Sequence, residues 1–395
     1  MIGPTLEIDL GRAAASAQRP DGATDVYLLV LHGGEPVAWI PVPLAPATID
    51  RHFVLRLMTP AQVAQLAARA APDPLPASAP EVTVAVCTRD RPAALRRCLA
   101  SVARLDPAPA QVLVIDSASR NGPDDESVAD IASEWSICRY VRVEEPGLSI
   151  ARNRALLEAR TAWVAFTDDD VELPAGWVGA VAAAAADGSA DCITGPVVPA
   201  AVPGRAAELF EEYGGLNRGF ERRTWDATFL RRGITSPPTW RLGAGANMAV
   251  DRLRGLEVGG FDPRLGAGKP AGCSEDTDLF YRLLRAGGRV RYTSRNWLMH
   301  HHREDVSALR RQLRAYGRGH AAAQWKACLC YGDLRGLGRL LFGLPFSNLR
   351  RVVRRLVGRS SFPCGLIVTE ALGQLTGPFL WRPSQPSAGR RSAGN

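Results

Sequence analysis

Residues 165–174 read AFTDDDVELP. An apolar run ends there in three adjacent carboxylates, Asp168, Asp169 and Asp170. Like charges side by side repel, so folding alone does not ask for them. A cation or a set of hydrogen-bond donors must offset the repulsion.

The surroundings give the triplet its place. EVTVAV (81–86) reads as a buried strand, and Pro92 opens a helical stretch with Leu95, Leu99 and Val102 on one face. QVLVID (111–116) is a second strand, DESVADIASEW a second helix, and YVRV (140–143) a third strand. SIARNRALLEA is a third helix with Ser149 as its N-cap, and WVAFT (163–167) a fourth strand. Strands alternating with helices predict an α/β fold with a mainly parallel sheet covered on both faces. Such sheets bind ligands at the carboxyl ends of their strands. Thr88-Arg89-Asp90, Asp116-Ser117, Glu145-Pro146-Gly147 and the Asp triplet all follow strand ends, so one edge of the sheet collects them.

The second half has fewer strand signals. RLGAGANMAV (241–250) is a Gly-rich run. GCSEDTDLFYRLLRAGG (272–288) predicts a helix with Ser274 at its N-cap, which puts Glu275 and Asp276 in the first turn. RVRYTSRNWLMHHHRED (289–305) reads as one more strand, on which His300 and His302 share a face and His301 points away.

An acidic cluster binds a hard cation through oxygen, and a His ligand favours Mn²⁺ over Mg²⁺. Such an ion keeps positions open for phosphate, and Arg152 and Arg303 can add charge-assisted hydrogen bonds. The chemistry indicated is displacement at a carbon that carries a nucleoside diphosphate. A base at the helix start, Asp276 or Glu275, would activate a hydroxyl.

Composition bounds the rest. The chain has 395 residues, 46% hydrophobic and 22% charged, enough for a large core. Its net charge of +8 is uneven. From Arg303 onward there are 16 Lys and Arg against four Asp and Glu, a balance of +12, so residues 1–302 carry −4. In NLRRVVRRLVGR (348–359) apolar and Arg residues fall on opposite helical faces, which suits an anionic membrane surface. The 362–381 stretch is long enough to span a bilayer, but Glu370, Pro363, Pro378 and its glycines argue against it. The start lacks a signal-peptide pattern and the eight Cys show no CxxC pairing, so a cytoplasmic setting is expected. Residues 1–70 read as a β-rich accessory unit with a hairpin around HGGEP, 71–80 as a Pro-rich linker, 81–325 as the catalytic domain and 326–395 as a basic helical tail.

The motifs taken in order resemble glycosyltransferase family 2: VTVAVCTRDRPAALRRCLASV, VLVIDSAS, PGLSIARNRAL, FTDDD, GAGANMA, GGFDP and GCSEDTDLFYRLLRAG, across about residues 80–325. The resemblance implies a GT-A fold, an inverting transfer from a nucleotide sugar to a hydroxyl acceptor, and a divalent cation, Mn²⁺ or Mg²⁺. It places Thr88 and Asp116 on the nucleoside and Arg152 on the nucleotide, with Arg89, Asp169 and Arg303 at the same donor edge. Asp168 would face the ribose or sugar, Asp170 would ligate the metal with Asp168 beside it, and Asp276 of the Glu275-Asp276 pair would be the base. His300 and His302 resemble an H-x-H-R metal segment. The expected acceptor is a hydroxyl, lipid-linked if the tail meets a membrane.

Other classes fit less well. A metal-dependent phosphoesterase needs more His and Asp ligands than stand near the triplet. An inactive anion- or nucleic-acid-binding module would have no call for both acidic motifs, and no aromatic residues interleave the tail's Arg run, so no nucleic acid is expected. No GxGxxG follows the first strand, which excludes a nicotinamide enzyme.

Overall fold

The computed structural model describes residues 2–68, 79–120 and 126–383. Most of the expected 71–80 linker lies outside them.

The four predicted strands form at Val82–Thr88, Gln111–Ser117, Cys138–Val143 and Trp163–Asp168. All their mutual pairings are parallel, and Val82–Thr88 lies between Gln111–Ser117 and Trp163–Asp168. The chain therefore reverses direction across the sheet beside Val82–Thr88, and the crevice at that reversal is where α/β sheets bind ligands. Asn247–Asp251 adds an antiparallel strand to Trp163–Asp168, and the complete sheet has eight strands among the described residues. Apolar clusters cover both faces: Leu95, Leu99 and Val102 on one, Leu156, Phe166, Phe261 and Leu279 on the other. The expected mixed, mainly parallel α/β architecture is what the chain adopts.

Three local readings change. Ser149 is not the N-cap of its helix. The helix runs Leu148–Glu158 behind Gly147, and the Ser149 hydroxyl donates to the Leu265 carbonyl. Ser274 does precede the Glu275–Arg285 helix, but with φ 75 and no side-chain cap bond. The single strand expected over 289–305 is two, Val290–Tyr292 and Leu298–His301, because Thr293–Trp297 crosses from one sheet to another.

That second sheet of six strands explains the N-terminal unit. The two strands of the predicted hairpin, Val26–His32 and Glu35–Val42, turn at Gly33 and Gly34, both at positive φ. Strand Gly3–Asp9 runs parallel to the first of them and also pairs antiparallel with Val197–Val202. Leu298–His301 follows, then the short Val171–Glu172. The unit thus continues a sheet of the catalytic domain. Buried Glu35 ties the join, accepting from Ser294, Arg222 (2.9 Å) and Arg295 (3.2 Å).

At the other end, the 26-residue helix Val306–Tyr331 packs along Cys364–Leu380. Glycines let the backbones meet: a Cβ on Gly317 would lie 2.2 Å from the Glu370 carbonyl oxygen, and one on Gly373 2.4 Å from that of Arg314. No described helix is long and apolar enough to cross a membrane. Between these two helices in sequence, Leu344–Leu356 turns Arg351 inward to Glu370 (2.6 Å) and leaves Leu349, Val353 and Leu356 exposed.

Gly373→Leu should lower stability by about 1–3 kcal/mol, because backbone cannot yield to the added side chain. Gly365→Ala, in the same helix with nothing within 4 Å of its Cβ position, should be neutral or slightly stabilising. Thermal denaturation of both variants checks this; equal losses would show that the close helix approach is not what limits the site.

Candidate active site

The Trp163–Asp168 strand ends in the triplet, and the chain then turns at once into Val171–Glu172. That two-residue strand pairs Val171 with His300, and the His301 amide donates to the Asp170 carbonyl at 2.9 Å. Pairing between distant segments therefore brings the His run to the carboxylates. The Asp170 carboxylate lies 3.4 Å from His300 Nε2. His301 points the other way, to Glu172 at 2.7 Å, as alternation requires.

His302 stands behind His300. Its Nδ1 is 2.9 Å from His300 Nδ1, and its Nε2 is 2.8 Å from Glu211. A carboxylate accepts only, so His302 holds its proton on Nε2 and accepts at Nδ1. His300 must then donate from Nδ1; burial opposes a charge on its ring, but Asp170 beside Nε2 outweighs that and raises the His300 pKa. Of the four residues expected around a metal, the structure joins Asp170 and His300 directly, while both ring nitrogens of His302 have other partners. Among the described residues no three His, Cys, Asp or Glu side chains form a ready metal cage.

Each carboxylate of the triplet has a different neighbourhood. Asp168 takes a bond from Arg152 at 3.1 Å. Asp169 is buried, accepts from Thr88 at 2.7 Å and pairs with Arg91 at 3.0 Å. Burial still pushes its pKa up to about 6 against the pull of Arg91. Asp170 meets Arg91 at 2.9 Å. Burial opposes its charge, but His300 and Arg91 outweigh that and hold its pKa well below the carboxylate range.

Arg152 is almost fully buried and joins the two acidic motifs. It donates to Asp168, to Glu275 at 2.9 Å and to the Gly245 carbonyl at 3.0 Å, with its guanidinium 5.6 Å from the Phe261 ring. Gly245 has to be glycine, since a Cβ there would sit 2.5 Å from the Arg152 guanidinium. Glu275 is committed to Arg152 and buried; burial and the charge of Asp276 raise its pKa. Asp276 is partly exposed, lines the cavity, and is oriented by the backbone amides of Gly245 (2.8 Å) and Thr277 (2.7 Å). Of the two candidate bases, Asp276 is the one open to a substrate.

The cavity measures about 800 Å³. Thr88, Arg89, the triplet and Arg303 line it. Asp116, expected on the nucleoside, is 1% exposed and accepts from Ser119, Tyr140 and Arg142, while Ser117 lines the wall instead. Beyond Asp276 the cavity continues past Trp240 and His320 to Leu344 and Ser347. Two residues were not singled out in the sequence. Arg91 follows the first strand directly and was legible as a cation at that edge. Glu211 lies in the helix Arg205–Tyr213, within a stretch of no clear period, and nothing in the sequence marks it.

His320 gives a measurable signature. It is packed edge-on against Trp240 (4.5 Å between centroids), and burial draws its pKa down to about 3 from 6.5. A depressed histidine pKa means that the unfolded chain takes up the proton first. Its contribution is complete above pH 6.5 and is lost as pH falls toward 3. His320→Phe should flatten the acid limb of the stability–pH curve measured in denaturant; an unchanged slope would refute the assignment.

Comparison with known proteins places the chain. The Glycosyl transferase family 2 model matches residues 83–241, and that of Glycosyl transferase family group 2 matches 163–381, more than half the chain. A pre-mycofactocin glycosyltransferase of Mycobacterium tuberculosis is 27% identical over 284 residues, covering 70% of this chain and 56% of that protein. The chain thus spans little more than half the length of that curated relative. Among solved structures, a mannosyltransferase from Pyrobaculum calidifontis in complex with GDP-Man and Mn²⁺ gives a TM-score of 0.46 at 19% identity, covering 77% of this chain and 89% of that one. TarS 1–349 of S. aureus gives 0.45 at 15%, covering 63% and 66%. Both are distant likenesses. The family models decide the matter, and the chain belongs to glycosyltransferase family 2.

Proposed function

We propose that this protein is a metal-dependent inverting glycosyltransferase that moves a sugar from a nucleoside-diphosphate donor to an acceptor hydroxyl. The observation that carries the reading is the pairing, on one cavity wall, of Asp170 with His300 3.4 Å away, while Asp276 stands open to the same cavity. Oxygen and imidazole donors at that separation can share one ion with bonds of about 2.1 Å. Mn²⁺ or Mg²⁺ bound there would stabilise charge developing on the diphosphate leaving group.

The chain's own residues do the rest. Asp170 Oδ1 and His300 Nε2 would hold the ion, which would displace the His300 Nε2 proton, and Glu211 through His302 fixes the orientation of the His300 ring. Arg91, which neutralises Asp169 and Asp170 in this structure, has its guanidinium beside the same oxygens and can turn to phosphate. Thr88, Arg89, Asp168, Asp169 and Arg303 shape the donor half. Asp276 accepts the acceptor hydroxyl proton as the new carbon–oxygen bond forms and the bond to the diphosphate breaks, on the opposite face of the sugar carbon. Arg152 keeps Glu275 and Asp168 fixed, so the base and the donor site move as one body.

The acceptor is proposed to be lipid-linked and reached from an anionic membrane surface, with the protein peripheral on the cytoplasmic side. Support comes from where the cavity leads. Its far end is walled by the helices Leu344–Leu356 and Cys364–Leu380, which expose Phe346, Leu349 and Leu356, and Leu372, Leu375 and Phe379. Arg350, Arg354 and Arg355 flank the first set and are exposed. Apolar side chains rimmed by arginine suit a headgroup boundary.

Asp276→Asn should keep nucleotide-sugar affinity within about threefold and lower transfer by about 10²–10⁴. Asp170→Asn should lose metal-dependent donor binding. Calorimetric titration with UDP-, GDP- and dTDP-sugars in Mn²⁺ and in EDTA, with turnover measured beside it, separates the two effects. Near-normal turnover in Asp276→Asn would remove it as the base. In flotation assays the protein should bind vesicles containing phosphatidylglycerol at low salt, and Phe346→Ser with Leu349→Ser should release it; a protein that stays soluble refutes the membrane contact.

A further inference from the structure

Near Asp276, the cavity holds two arginines with no ion pair among the described residues. Arg339 lies over the Trp240 ring at 4.7 Å, and its Nε is buried without a hydrogen-bond partner. It has no ion pair among the described residues, and the charge nearest in effect is another cation, Arg241. Arg218 donates to the carbonyl oxygens of Trp240 (3.1 Å), Gly214, Gly215 and Asn217, and to no carboxylate. His320 Nε2, on the other edge of Trp240, is also buried and unpartnered. Three separate elements thus bring Arg218, His320 and Arg339 to one pocket: the loop after the Arg205–Tyr213 helix, the Val306–Tyr331 helix, and the π-turn Arg339–Gly343. Turns of that type inside helices recur at functional positions.

Arg218 and Arg339 are half-buried, and a cation so placed without a counter-ion is unfavourable unless a ligand supplies the charge. Burial draws the guanidinium pKa of both Arg218 and Arg339 downward, the sign expected when the protein itself supplies too little negative charge. The donor diphosphate does not account for them. Arg91, Arg152 and His300 serve the triplet, whereas Arg218 feels the charge of Asp276.

We propose that Arg339 and Arg218, both held against Trp240, form an acceptor subsite that binds an anionic oxygen group, phosphate or carboxylate, and so presents the acceptor hydroxyl to Asp276. This rests on the transferase reading only in assigning the anion to the acceptor. Planar guanidinium groups recognise both anions.

The test uses the whole chain in EDTA, where the donor site lacks its ion. Inorganic pyrophosphate and glucuronate are titrated separately by calorimetry up to about 10 mM, the range of weak single-group binding. At least one should bind. Arg339→Gln should weaken that binding by about tenfold or more. Should Arg339→Gln melt far below the parent, Arg218→Gln gives the same reading. Tighter pyrophosphate points to a phosphate-bearing acceptor and tighter glucuronate to an acidic sugar, and either supports the subsite. Binding of neither probe, or indifference to both arginine substitutions, overturns it. The same preparations titrated with nucleotide sugars in Mn²⁺ report separately on the transferase reading.

Discussion

Negative charge crowded at the end of one buried strand is the constraint from which the site is built. Asp168, Asp169 and Asp170 cannot all be ionised in a partly buried crevice unless positive groups come close. Three do, from separate parts of the chain: Arg91 from the first loop, Arg152 from the helix behind the sheet, and His300 from the second sheet. Arg152 then carries the constraint onward, because its other partner is Glu275 in the acidic pair. Asp276, the proposed base, follows Glu275 at the start of the same helix, so that helix end is tied to the triplet through Arg152. Small residues follow from it too, as at Gly245, where only a missing side chain leaves room for the guanidinium.

The second sheet carries His300 to the cavity wall. Strand Leu298–His301 holds His300 in register with Val171, and it is itself held by Val197–Val202, which the N-terminal Gly3–Asp9 strand covers. Without that cover, Val197–Val202 would be an open edge. Glu35, buried between Arg222, Arg295 and Ser294, anchors the turn that leads into the His strand. The N-terminal segment therefore belongs to the mechanical support of the candidate metal ligand, whatever else it does.

Much of this was legible in the sequence for a physical reason. Strand and helix periods are local, so the four parallel strands, their helices, the Gly-Gly hairpin and the strand-end clustering of polar residues could be read directly. So could the convergence of His300 and His302, which needs only strand alternation. What escaped was set by pairing between distant segments. The crossing of Thr293–Trp297 between sheets, the fusion of the N-terminal strands to the catalytic domain, and the Glu211–His302 contact depend on contacts far apart in the chain. Ser149 was read as a cap because cap signals are short and Gly147 offers none. Nor does sequence reveal that Asp116 accepts from Tyr140 and Arg142. The tail shows the opposite case: its amphipathic pattern was plain, but the structure was needed to show that Arg351 turns inward while the apolar stripe faces out.

The central claim is that the triplet and His300 form the cation site of a nucleotide-sugar transferase. Anomalous diffraction from crystals grown with Mn²⁺ and a nucleoside diphosphate tests it most directly. The account predicts one manganese peak within about 2.3 Å of both Asp170 and His300 Nε2, with the diphosphate on the same ion. His302 should still lie between His300 and Glu211. A peak away from that pair, or a bound diphosphate with no ion between it and Asp170, would contradict the account.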